Sequence, residues 1–126
     1  MENLKLEATD YTLKTYFETS GKLLFSGISI PENIINYNRI TNNWIDEFIT
    51  TYPKAFNVTF DVDYLNTAST RVIVTILKKI KTYCTAYNAI VYITWYYEDD
   101  DILELGNEFS EIIEVKFNFI AKTKRI

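Results

Sequence analysis

The chain has 126 residues, a net charge of −4, one cysteine and no histidine. That length suits one domain, residues 1–126, around one core, and the negative balance argues against a nucleic-acid partner bound by phosphate neutralisation. The lack of histidine removes imidazole acid–base chemistry and His-containing metal sites, and with them serine-protease triads, zinc hydrolases and histidine phosphotransfer.

A hydrophobic share of 48% excludes wholesale disorder, and an aromatic share of 16% supplies rings for a core and a contact surface. The opening Met1-Glu2-Asn3-Leu4-Lys5 has no apolar signal core and no run is long enough to span a bilayer, so a cytoplasmic protein with no membrane partner is expected. Leu4 and Leu6 alternate as in a short edge strand or an extended arm. Lys14 to Thr19 and Lys22 to Ile30 read as two strands joined at Ser20-Gly21, a β-hairpin. Pro31-Glu32-Asn33 then predicts a helix start, and Ile34, Tyr37, Ile40, Trp44, Ile45, Phe48 and Ile49 give it one apolar face before Tyr52-Pro53 ends it.

From Phe56 to Tyr64 the alternation is strict: Phe56, Val58, Phe60, Val62 and Tyr64 on one face, Asn57, Thr59, Asp61 and Asp63 on the other. A second helix follows from about Ala68 to Tyr87, with Cys84 in its apolar stripe as packing. Ala89 to Tyr97 is a further strand. The acids Glu98 to Asp101 precede a short third helix carrying Ile102, Leu105 and Phe109, and Val115, Phe117 and Phe119 suggest a last strand before a frayed tail from Lys122 to Arg125.

The order is an α/β domain with a mixed sheet of about five strands. A sheet covered on both faces needs strands that are apolar on both. The strand from Phe56 is polar on one side, so the helices are expected mainly on one face. The other would carry Thr59, Asp61, Asp63, Tyr92, Thr94 and Tyr96, a polar-aromatic surface suited to a partner or simply to solvent.

Chemistry has few places to reside. There is no P-loop or dinucleotide fingerprint, and no cofactor is indicated. Asp61, Asp63 and Asp99 to Asp101 gather at one sheet end, where oxygen ligands for a hard cation, and hence a small metal-dependent hydrolase, are conceivable, although no calcium-loop spacing supports it. What remains is the strand-to-helix junction, with the hydroxyls of Thr67, Ser69 and Thr70. Asn66 or Thr67 can cap the helix. Alternatively a hydroxyl there accepts a phosphoryl group, with Arg71 one turn on from Thr67 and Asp63 nearby to feel the added charge. Residue spacing leaves both readings open.

The stretch Asp63-Tyr64-Leu65-Asn66-Thr67-Ala68-Ser69-Thr70 resembles the Tyr-x-Asn-Thr-Ser-Ser segment of the SiaC family of bacterial regulatory phosphoproteins. Ser29-Ile30-Pro31-Glu32-Asn33, Trp44, Trp95-Tyr96-Tyr97-Glu98-Asp99-Asp100-Asp101 and the opening Leu4-x-Leu6-Glu7-Ala8-Thr9-x-Tyr11-Thr12 agree with it, over almost the whole chain. The resemblance implies a STAS-like fold and a non-enzymatic switch protein. In that family a cognate serine/threonine kinase phosphorylates the threonine of the Asn-Thr pair and a PPM-type phosphatase reverses it. The resemblance further implies that the unphosphorylated form activates a diguanylate cyclase, raising cyclic di-GMP and promoting biofilm. The matching threonine is Thr67, surrounded by Asp63, Asn66, Ser69, Thr70 and Arg71, and Ala68 stands where members often carry serine. Tyr64 and Leu65 beside the junction, with Tyr92 and Tyr96 and the start of the following helix, are the expected partner surface, which phosphate would block by charge and bulk. A constitutive binding module of the anti-sigma-antagonist type is the alternative.

Overall fold

Strict polar alternation requires a sheet with one dry face, and the computed structural model, which describes residues 1–122, has one. Its elements are β1 (Leu4–Leu6), β2 (Lys14–Phe17), β3 (Lys22–Ser29), α1 (Ile35–Ile49), β4 (Ala55–Leu65), α2 (Thr67–Tyr87), β5 (Ile90–Tyr97), α3 (Asp100–Ile113) and β6 (Asn118–Ala121). The six strands lie in sequence order across one sheet. The β1–β2 and β2–β3 pairs are antiparallel, and the pairs from β3 to β6 are parallel. The expectation of about five strands is thus short by one: Leu4–Leu6 pairs with β2 as an edge strand.

The strand order explains where the helices go. Each crossover from β3 to β6 steps to the next strand in the same direction. Crossovers of one hand then place every connecting helix on the same side. Burial agrees. Phe17, Leu23, Phe25, Phe56, Val58, Phe60, Val62, Ile93 and Trp95 are all buried, whereas Tyr16, Leu24, Thr59, Tyr92, Thr94 and Tyr96, on the opposite face, are not. Phe25, Phe60, Trp95 and Phe119 sit in one cross-strand row. The Phe25 and Phe60 rings stack at 4.8 Å, Phe60 meets Trp95 at 5.0 Å and Phe109 of α3 meets Trp95 edge-on at 5.4 Å. Such pairs add about 0.5–1.5 kcal/mol each beyond the area they bury. Trp95 also donates its indole N–H to the Ile102 carbonyl at 2.9 Å, which ties α3 to the sheet. Cys84 is buried on α2, and burial raises its thiol pKa, as its packing role requires.

Several boundaries differ from expectation. The first helix begins at Ile35, not Pro31. Ile34 occupies the N-cap position and its side chain makes no capping hydrogen bond; Asn33 Oδ1 instead accepts the Ile35 amide at 2.9 Å, so Glu32 lies outside the first turn. The last strand starts at Asn118 because Glu114 closes α3 in the left-handed region (φ 56), leaving Phe117 to drop into the core ahead of the strand. Most consequential is Tyr64, expected inward. A register shift pairs Gly27 with Val62 but Ile28 with Tyr64, so Asp63 is an extra residue and the strand changes face there. Tyr64 is 55% exposed and Leu65 is 8% exposed. Gly27 opposite the bulge has φ +101, a conformation that suits glycine. Lys122 is ordered rather than frayed; Thr123 to Arg125 lie outside the described residues.

Gly106 lets α3 approach Trp95. A Cβ there would stand 2.7 Å from the indole Cε2 and 2.8 Å from Phe119. Gly106→Ala is therefore expected to lose about 1–3 kcal/mol through overpacking, despite the better helix propensity of alanine. Urea unfolding followed by tryptophan fluorescence checks this; equal or higher stability would show that the rings yield freely.

Candidate functional site

The junction after β4 is built by a cap and a buried hydroxyl pair. Asn66 leaves the strand extended (φ −77, ψ 171), and its Oδ1 accepts the Ser69 amide at 2.9 Å. Asn66, not Thr67, is the cap. Its own amide donates to the Ser29 carbonyl at the end of β3, at 2.9 Å. Ser69 turns inward and is 1% exposed. Its hydroxyl lies 2.6 Å from the Ser29 hydroxyl and donates to the Ser29 carbonyl at 3.3 Å. Helical residues advance by about 100°, so a residue two places before an inward one points roughly the opposite way. That residue is Thr67. It is exposed, and its hydroxyl makes no hydrogen bond to any described residue. Thr70 is half-buried, and Arg71 is exposed on the next turn without an ion pair among the described residues.

The predicted site residues therefore separate. Asp63, Tyr64, Asn66 and Thr67 come together at the C-terminal end of β4, where α2 begins. Leu65, expected on the contact surface, belongs to the core, because the bulge at Asp63 reverses its side. Tyr92 and Tyr96 lie on the open sheet face, with Tyr92 exposed and Tyr96 half-buried.

The acids have a partner that sequence reading assigned to a tail. Lys122 Nζ lies 2.6 Å from Asp61 Oδ1 and 3.9 Å from both Asp63 Oδ1 and Glu98 Oε1. Asp99 is the cap of α3, its Oδ1 accepting the Ile102 amide at 2.9 Å. Among the described residues no group of three or more acidic or thiol ligands is placed to hold a metal. The acids do other work here: ion pairing at Asp61 and capping at Asp99. The Lys122 amine is held above the usual lysine range, chiefly by its hydrogen bond to Asp61 and then by the charges of Asp61, Asp63 and Glu98, with burial opposing. No described helix is long and apolar enough to cross a membrane.

The sequence matches the model of the SiaC family regulatory phosphoproteins over residues 6–122. This chain belongs to the SiaC family. Its fold is similar to that of SiaC of Pseudomonas aeruginosa at 25% identity, covering 97% of this chain and 100% of that one with a TM-score of 0.85. It is also similar, at 24% identity, to a chain in the crystal structure of diguanylate cyclase SiaD in complex with its activator SiaC from Pseudomonas aeruginosa. There the match covers 94% and 99% of the two chains, with a TM-score of 0.87. No curated protein matches the sequence. The matched residues include the capped junction of α2.

Two stability measurements separate these roles. Asn66→Ala removes the cap and is expected to cost about 1 kcal/mol, whereas Thr67→Ala, which loses no hydrogen bond, should stay within about 0.5 kcal/mol of wild type; paired urea denaturation curves check both. The second concerns Lys122. A cation whose folded pKa is raised contributes stability below the ordinary lysine value of about 10.4 and loses it as pH rises through the folded value. Lys122→Met should therefore cost up to about 1 kcal/mol at neutral pH, the pairs being partly exposed. The difference from wild type should fade as pH rises past the ordinary lysine range and through the raised value of Lys122. A pH series of denaturation midpoints reads this out.

Proposed function

We propose that this protein is a non-catalytic partner switch that is reversibly phosphorylated on Thr67 and that binds and activates a diguanylate cyclase when unphosphorylated. Family membership supports the regulatory reading. The crystal structure of diguanylate cyclase SiaD in complex with its activator SiaC supports the choice of a cyclase as partner. The observation that carries the choice of residue is the division of the junction hydroxyls. Ser69 is buried and committed to Ser29, while Thr67 is exposed, carries no bond and stands in the first turn of α2.

The chemistry fits that position. A kinase has to reach a free hydroxyl, and Thr67 needs no unfolding to present one. The phosphoryl product adds a charge of roughly −1.5 to −2 near the amides that open α2, where the helix dipole favours an anion. The same group is bulky and strongly hydrated, so a partner that packs flat against the junction is displaced. A cognate serine/threonine kinase adds the phosphate from ATP and a PPM-type phosphatase removes it, both in the cytoplasm. The alternative of a constitutive module has the weaker support, because the capping role it would assign to Thr67 is filled by Asn66.

The test uses intact mass and binding together. Incubation with the cognate kinase and ATP should add about 80 Da to the wild type, one phosphoryl group, and nothing to Thr67→Ala. The phosphorylated protein should bind the cognate cyclase at least about tenfold more weakly, a loss of roughly 1.4 kcal/mol. A full mass shift in Thr67→Ala would move the site elsewhere, and equal affinity of the two forms would remove the switch.

A further inference from the structure

We propose that the rim beside Thr67 docks a partner-protein segment whose apolar side chains are flanked by lysine or arginine. The inference rests on the phospho-switch reading and adds the chemistry of the partner. Four large hydrophobic side chains are exposed on this rim: Tyr11 at 62%, Ile28 at 37%, Ile30 at 38% and Tyr64 at 55%. They are neighbours. Ile28 and Tyr64 are cross-strand partners beyond the bulge, and the Ile30 amide donates to the Tyr11 carbonyl at 2.8 Å. The bulge at Asp63 is what turns Tyr64 outward to join Ile28; without it Tyr64 would face the core and Leu65 the solvent. A hollow of about 440 Å³ lined by Tyr11, Ile30 and Glu32 lies at one end of the strip. Tyrosine and isoleucine grouped in this way, next to a position that is to be modified, have the composition of a contact core.

Charge selects the occupant. Glu32 stands at the Tyr11 end, and Asp63 and Glu98 at the Tyr64 end, all exposed. Lys122 lies 2.6 Å from Asp61 and 3.9 Å from Asp63 and Glu98, so one lysine is shared by three acids and the Tyr64 end stays net negative. Arg71 is exposed one turn into α2 and leaves the balance negative. An apolar strip with acids at both ends fits an apolar segment with basic residues on its margins. It follows that the phosphate does not release such a partner through its charge, which a basic partner would welcome. It acts by bulk and by the hydration shell of an anion that the apolar contact would have to strip away.

The full chain and its cognate diguanylate cyclase are titrated by calorimetry at about 0.05 and 0.3 M salt, concentrations that bracket physiological screening. Ile28→Ala with Tyr64→Ala is expected to weaken binding at least about tenfold, as loss of central contact residues does. Glu32→Gln with Asp63→Asn should weaken it severalfold and flatten the salt dependence, while Glu18→Gln, at the far end of the sheet, matches one lost charge and should change nothing. Circular dichroism melts show whether each variant is folded, which these exposed sites should allow. Wild-type affinity in both rim variants, or tighter binding after the acids are neutralised, overturns the proposal and leaves the phospho-switch standing. A wild-type protein that does not bind the cyclase overturns the choice of cyclase, and this proposal with it.

Discussion

The hydrogen-bonded pair Ser29–Ser69 decides how the rest of the site is arranged. It joins the end of β3 to the first turn of α2 in a place where both hydroxyls are out of water. Buried hydroxyls without partners cost roughly 1–3 kcal/mol, so each holds the other in place. With Ser69 fixed inward, helix geometry leaves Thr67 no direction but outward. The Asn66 cap sets where that helix begins, and the Asn66 amide bonded to the Ser29 carbonyl fixes the same corner a second time. Exposure of Thr67 is therefore a consequence of burying its neighbour.

The bulge at Asp63 is the second constraint, and it acts on the surface rather than the helix. By inserting one residue it sends Leu65 to the core and Tyr64 to the rim. The open face and the rim are both products of a sheet with helices on one side only. The aromatic row from Phe25 to Phe119 lies under those helices, and Trp95 holds α3 through the Ile102 carbonyl. Stability is thereby concentrated on one face. The other face and the strand ends are left to carry polar and tyrosine side chains with little effect on the core.

Electrostatics at the strand ends follows from topology as well. Asp61 and Asp63 lie near the end of β4 and Glu98 directly follows β5, and neighbouring parallel strands bring their C-terminal ends to one end of the sheet. Three acids there need a counter-charge, and Lys122 at the end of β6 supplies it. The pair with Asp61 lowers the local repulsion but does not cancel it, so that end stays negative around the apolar rim.

The amino-acid sequence by itself determined the class of fold. The polar alternation from Phe56 to Val62 required a one-sided sheet, the apolar periodicities placed three helices, and the absence of histidine and of glycine-rich loops removed imidazole and phosphate-loop chemistry. The likeness of the segment around Asn66-Thr67 to a phosphoprotein family pointed to one threonine. These are local properties, set by side-chain spacing along the chain. Contacts between distant segments were decided only in the tertiary structure. Ser29 and Ser69 are 40 residues apart, and Lys122 and Asp61 are 61 apart. No periodicity announces such pairs, so spacing alone ranked the junction hydroxyls equally and assigned Lys122 to a tail. The bulge was hidden for a related reason: alternation predicts that Tyr64 points inward, and only pairing with β3 inserts the extra residue that turns it out.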